Sequence, residues 1–263
     1  MIDYKLRWKN YIHNIRKKEI EIIQKYLNGK IFHKGLEIGA GDGYQSEFLL
    51  NNVKHLVCTE LNKERLIQVN KNIEYRVCDA ELLTKFFNRN EFDFVYSSNL
   101  LEHLNNIEDT IIGIKEILKD EGVVIHILPN SKWAICHIVL HYPAILFSLI
   151  QKILSRKKII NQNRSNIKGN NLKSEKETSS LLLRLLFPHP HGISKNVFAE
   201  VFAFSKMKWK SIFLNNGFVI TKIQHGSFSS GYGISSRFLR NLLYKMNIST
   251  STIYILKKNL YGN

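Results

Sequence analysis

Glu37, Gly39, Gly41 and Gly43 fall at every second position of the stretch LEIGAGDGYQ, a glycine-rich turn that follows an apolar run. Alternating glycines give a wide, extended turn with several backbone N–H groups exposed, a shape suited to a nucleotide. A dinucleotide loop, G-x-G-x-x-G, needs a third glycine for close helix–strand packing, and Tyr44 stands in that place. Two more acids follow at the ends of apolar runs. Glu60 can accept both hydroxyls of a ribose, and Asp79 stands next to Ala80. Three histidines are placed for proton transfer near neutral pH: His103 in LLEHL, and His189 and His191 in PHPHG. Pro188 and Pro190 stiffen the backbone around the latter pair.

The elements that must position these residues alternate in type. Residues 3–27 carry Trp8, Tyr11, Ile12, Ile15, Ile22, Ile23 and Tyr26 at near-helical spacing, which predicts an amphipathic helix ending at Asn28-Gly29. Strand-like runs then appear at KGLEIGA, HLVCTEL, IEYRVCD, FDFVYSS and GVVIHILP. Helical stretches are expected between them: after Gly43, around 63–71, around 81–87, and over 107–118. Such alternation predicts a parallel sheet with crossover helices. After Pro129 it stops. Residues 133–150 contain no Asp, Glu, Lys or Arg but include His137, His141 and Pro143. A buried or lid helix broken near Pro143 is expected there, with a membrane-surface role as the alternative. Residues 152–178 are polar, basic and Asn-rich and read as a mobile loop. Helices over 195–203 and 206–215, a strand at FVITKIQHGSF, a helix over 237–246 and a strand at TIYILKK would complete a seven-stranded sheet.

The spacing Glu37-x-Gly39-x-Gly41-x-Gly43 resembles motif I of class I S-adenosylmethionine (SAM) dependent methyltransferases, and matches it in full. FDFVYSSNLLEHL resembles that family's fourth-strand segment, and IKEILKDEGVVIHILPN the helix, turn and fifth strand after it. The resemblance covers about residues 30–130. It implies an α/β fold: a Rossmann-like, seven-stranded, mostly parallel sheet with helices on both faces and a helical insertion after the fifth strand. It also implies SAM as cofactor and S-adenosylhomocysteine as product. Glu37, Gly39, Ala40, Gly41 and Gly43 would then hold the methionine side, Glu60 and Leu61 the ribose, Asp79 and Ala80 the adenine, with Ser97 and Asn99 completing the site. The corresponding organisation is an N-terminal helix (1–29), a SAM-binding core (30–130), an acceptor-side insertion (131–216) and closing strands (217–263).

His103, with His189 or His191, is the candidate base or acceptor contact, although a packing histidine at 103 and a structural PHPHG loop are equally consistent with the sequence. The tail loosely resembles that of bacterial methyltransferases acting on sugars or surface-polysaccharide precursors. Several chemistries are disfavoured. SSNL stands where amino-methylating nucleic-acid enzymes carry N/D-P-P-Y/F, and no cysteine lies near Ser97–Asn99 for cytosine chemistry. Ser97, Ser98 and Asn99 cannot supply the acidic metal ligands of the catechol type, and no Cys/His cluster suggests zinc, so no metal is expected.

Composition adds weaker constraints. With 38 Lys and Arg against 22 Asp and Glu the formal charge is +16, which attracts nucleic acid, phosphorylated metabolites or anionic lipid headgroups, compositional drift toward Lys, Asn and Ile being the alternative source. The basic stretch 156–176 lacks the interleaved aromatics of a base-stacking surface. Cys58, Cys78 and Cys136 read as buried apolar residues. The first residues carry charge throughout, so no signal peptide and a cytoplasmic location are expected. The reading is therefore a SAM-dependent methyltransferase that O-methylates a small anionic acceptor. RNA methylation, quinone or lipid methylation at a membrane, and non-catalytic SAM binding are its rivals.

Overall fold

The structure, a computed structural model, describes residues 2–66, 70–162, 188–232 and 237–260. Helix α1 (Ile2–Leu27) leads into β1 (Phe32–Ile38), a single turn α2 (Ser46–Leu49), β2 (Val53–Glu60), β3 (Ile73–Val77), a short α3 (Leu83–Phe86) and β4 (Phe92–Ser98). Then come α4 (Ile107–Ile117), β5 (Leu118–Pro129), α5 (Ser131–Gln162), α6 (Val197–Ala203), α7 (Lys206–Asn215), β6 (Phe218–His225), α8 (Arg237–Lys245) and β7 (Ser251–Lys258).

The seven strands form one sheet in the order β3-β2-β1-β4-β5-β7-β6. The first five pair in parallel, and β7 runs antiparallel to both its neighbours. Strand order reverses between β1 and β4, so a crevice opens at their carboxyl ends, where ligands of such sheets bind.

Strand alternation sorts side chains to two cores. Leu36, Ile38, Val95, Val124, Leu128 and Tyr254 face α4 and α7, whose Ile111, Ile114, Trp209 and Phe213 cover them. Phe32, Phe94, Tyr96, Ile125, Ile253 and Ile255 face the other way, under Ile20, Ile23 and Leu27 of α1. Full burial of each such side chain contributes roughly 1.5–3 kcal/mol. The helix ends follow local chemistry. Asn28 and Gly29 take positive φ (45° and 78°) after α1, and Gly217 (φ 77°) turns the chain from α7 into β6. Asn196 and Ser205 cap α6 and α7 by accepting from Ala199 and Lys208 N–H.

Two expectations need correcting. Pro143 does not break the helix predicted over 133–150: α5 runs unbroken to Gln162 with Pro143 inside it. Proline there forfeits one backbone bond, a local cost that a helix of this length absorbs. The expected loop is consequently helical over 152–162, and its remainder, 163–178, lies outside the described residues. Around 63–71, the described part (63–66 and 70–71) holds only turns, and 67–69 lie outside it.

Candidate active site

The glycine turn leaves β1 under strong constraint. Gly39, Gly41 and Gly43 all have positive φ (73°, 57° and 71°), a region costly to side-chain-bearing residues. A β-carbon at Gly39 would also lie 2.9 Å from Leu100 Cδ1. The turn's N–H groups are not exposed as the spacing suggested. Those of Gly39 and Ala40 donate to the Thr59 carbonyl, that of Gly43 to the Ala40 carbonyl, and that of Gly41 to Glu60 Oε2 at 3.1 Å. The turn folds onto the end of β2, and what it offers a ligand is its shape.

Glu60 sits beneath the turn, buried, with Oε1 also accepting from Asn62 N–H at 3.3 Å. Each carboxylate oxygen retains a second lone pair for a ribose hydroxyl. Cys78 N–H donates to the Glu60 carbonyl, which brings the ends of β2 and β3 together and sets Asp79 beside Glu60. Asp79 Oδ1 caps the next turn by accepting from Glu81 N–H, and Ala80 is buried behind it. Leu61 points outward and is 65% exposed.

Glu37 lies lower than expected. It points from β1 toward α2 and is 3% exposed, where it accepts from the Ser46 hydroxyl and, at 3.3 Å, from Cys58 Sγ. Burial pushes its carboxyl up to about 7. Its role is to anchor the base of the turn. Ser97 is also misplaced by the sequence reading. It faces the α4 side of the sheet, fully buried, with Oγ 2.7 Å from His126 Nδ1. The next residue, Ser98, faces the crevice instead, as strand alternation requires.

A cavity of about 530 Å³ lies against the turn, within the range of small-molecule sites. Gly39, Ala40, Gly41, Ser98 and Asn99 form one wall. The other is the polar face of α1, with Trp8, Lys9, Ile12, His13 and Arg16. This wall was not foreseen. Asp42 pins α1 to the turn: its Oδ2 lies 2.9 Å from His13 Nε2 and 3.4 Å from Lys9 Nζ. The His13 and Tyr44 rings stack at 3.8 Å. Arg16 reaches deepest, donating to Ser98 Oγ at 2.5 Å, with the carboxamide of Asn99, itself at φ 49°, beside it on the same wall. Buried Glu19 holds Arg16 from behind at 3.2 Å and is fixed by the hydroxyls of Ser227 and Ser251. The site thus offers a glycine cradle, an acid for a ribose and a guanidinium for a carboxylate, a set that fits SAM.

The family model of the methyltransferase domain matches residues 36–126, the segment that runs from the turn to β5. Over that segment the chain is similar to a methyltransferase domain. A highly reducing polyketide synthase of Alternaria alternata is 26% identical over 145 residues, 48% of this chain, and the chain spans 5% of that synthase's length. Among solved structures, a SAM-dependent methyltransferase of Thermotoga maritima superposes with a TM-score of 0.56 at 14% identity, covering 98% of this chain and 96% of that one. One of Aquifex aeolicus gives 0.52 at 11% identity, covering 92% and 90%. Identities this low speak for the fold alone.

The candidate acceptor residues lie just beyond β4. Leu101–His103 form a short 3-10 turn after β4, and the PHPHG loop packs directly on it. Ile193 N–H donates to the Glu102 carbonyl at 3.3 Å, while His191 and Gly192 N–H both donate to Glu200 Oε1. The loop thereby brings His191 to His103, with ring centroids 4.8 Å apart, and Trp133 packs against His191 at 4.6 Å. His189 is exposed and is not part of this cluster. Burial keeps both rings below the usual imidazole range, His191 at about 4, aided by Arg65 at His103 and by His103, His137 and Arg16 at His191. Both are neutral at pH 7, with lone pairs available. Beyond Trp133 the cluster continues through His137 and Tyr232 to His141, whose Nδ1 lies 2.8 Å from Tyr232 Oη.

Proposed function

We propose that this chain transfers a methyl group from SAM to an oxygen of a small anionic acceptor, such as a phosphorylated or nucleotide-linked sugar precursor of surface polysaccharide, in the cytoplasm. The observation that carries this reading is the meeting of two half-sites at one sheet edge. The cofactor cradle of Gly39–Gly43, Glu60 and Arg16 adjoins the histidine and aromatic corner of His103, His191 and Trp133. Gly39, Ala40, Gly41 and Asn99 shape the cofactor's seat above Glu37, Glu60 takes the ribose, and Asp79 with Ala80 the adenine. Arg16 meets the methionine carboxylate. Lys9 and Arg65, beside the same cavity, favour a negatively charged acceptor.

SAM bound there would supply a sulfonium methyl for in-line attack by the acceptor oxygen, the C–S bond breaking as the O–C bond forms with S-adenosylhomocysteine as leaving group. His103, neutral beforehand, takes the hydroxyl proton, with His191 beside it. The decisive experiment is incubation with labelled SAM and fractionated metabolites. Label in sugar phosphates or sugar nucleotides is expected. Label in an RNase-sensitive fraction, or none in any fraction, would overturn the reading.

A second reading rests on α5. Ile135, Val139, Tyr142, Leu146 and Ile150 follow one another at helical spacing and are each 45–61% exposed. Among the described residues no helix is long and apolar enough to cross a membrane. Such a stripe, continued by a helical segment containing Lys152, Arg156, Lys157 and Lys158, suits docking on an anionic surface and a lipid or quinone acceptor. Co-flotation with anionic vesicles, lost in Val139→Asp with Leu146→Asp, would favour it; methyl transfer only to water-soluble sugars would oppose it.

A further inference from the structure

Glu102 is 2% exposed, and neither of its carboxylate oxygens has a hydrogen-bond partner among the described residues. A buried carboxyl group in that position lacks the partners that ordinarily offset its desolvation. What faces it is chemically specific. His103 Nε2 lies 3.9 Å from Glu102 Oε1, and one ligand atom each from Glu102, His103 and His191 all lie within 4.8 Å of one another. The three come from two separate segments: Glu102 and His103 from the turn after β4, and His191 from a loop fastened to that turn by the Ile193–Glu102 backbone bond and by Glu200. Trp133 and His137 flank the imidazoles, while Arg16, Glu19, Arg65 and Glu200 are the charged groups whose fields reach the cluster.

We propose that Glu102, His103 and His191 together bind one divalent transition-metal ion of the zinc or cobalt type. Two imidazoles and one carboxylate are the donor set borderline ions prefer, whereas calcium and magnesium favour oxygen alone. Ligand bonds of about 2.0–2.2 Å would draw the three donor atoms closer than their present spacing. The half-exposed rings of His103 and His191 can make that movement, while the buried carboxylate stays fixed. Binding would give Glu102 the counter-charge it lacks and leave the ion's remaining positions open toward the acceptor side.

The inference places the ion in the corner that the proposed function assigns to the acceptor, and changes His103 from free base to ligand. Its test is independent of methyl transfer. Chelator-stripped protein is titrated with cobalt(II), followed by visible absorption, and with zinc(II) by calorimetry. One ion per chain is expected, weakened at least about tenfold by either Glu102→Gln or His191→Ala. His103→Cys should keep the ion and add a thiolate-to-cobalt charge-transfer band, a signature that a merely structural role for residue 103 would not produce. His55→Ala, which breaks the surface pair of His33 and His55 (rings 5.1 Å apart), should leave the titration unchanged. No stoichiometric ion, equal binding by Glu102→Gln, or dependence on His55 would each overturn the proposal. Absence of a stoichiometric ion from a protein that still transfers labelled methyl would sink the metal site and leave the proposed function standing.

Discussion

Arg16, on the N-terminal helix, donates to Oγ of Ser98 at the carboxyl end of β4, 2.5 Å away. The bond ties an element outside the alternating core to the sheet edge that lines the cavity. Glu19 completes the arrangement from behind, buried and held by Ser227 and Ser251 near β7. One guanidinium therefore both makes a structural ion pair and lines the cavity proposed for the cofactor.

Those two roles can be separated. Arg16→Met should weaken SAM binding at least about tenfold, as loss of a charge-assisted bond to a carboxylate implies. It should also destabilise the fold by about 2 kcal/mol or more, because Glu19 is left buried without its partner. Adding Glu19→Gln should recover most of the stability and none of the affinity. Calorimetry with SAM and thermal melting read the two effects; affinity that returned with stability would remove Arg16 from the cofactor site.

Gly192 tests the fastening of the acceptor corner. A β-carbon there would overlap the Glu102 carbonyl oxygen, so Gly192→Ala must lift the PHPHG loop from the turn after β4. His191 would then leave His103. SAM affinity should change little, since the loop does not line the cofactor cavity, while methyl transfer should fall by at least about tenfold. Unchanged turnover with a natural acceptor would mean that His191 has no part in the reaction.

His103→Ala is expected to leave SAM binding intact and to lower turnover about 100-fold, within the range for loss of a general base. Combining it with His191→Ala should cost less than the sum of the single losses, because the rings act as one cluster. Full additivity would separate their roles.

The sheet was legible because it rests on periodicity. β-type runs separated by helical stretches gave the strands to within a few residues, and Gly39, Gly41 and Gly43 identified the turn whose positive φ values exclude other residues. The site was legible only where one element dictates it. Periodicity marked the buried face of α1 but carried no sign that its polar face, with Lys9, His13 and Arg16, would close the cavity. Ser97 and Ser98 both flank the strand end, and only the sheet's parity decides which faces the crevice. Pro143 was read by its local rule, which the long helix overrides. Nothing in the sequence around Glu102 marks it as buried, since an acid near a helix start ordinarily meets solvent. Its burial comes from a loop some ninety residues away in sequence.

Glu37 provides the pH dependence that this geometry implies. In the folded chain burial raises its carboxyl to about 7, against an ordinary value of 4.5. Between those values the folded state binds more protons than the unfolded one, so stability falls as pH rises through that window and levels off above it. The full difference is on the order of 3 kcal/mol. Glu37→Gln keeps an oxygen to accept from Ser46 and carries no charge, so it should lack this part of the pH dependence. Relative to the native chain, the variant's melting temperature should therefore rise between pH 5 and pH 8, measured without cofactor. A gap between the two proteins that stays constant across that range would mean Glu37 is ionised in the fold at both pH values, with Ser46 and Cys58 sufficient to hold the charge.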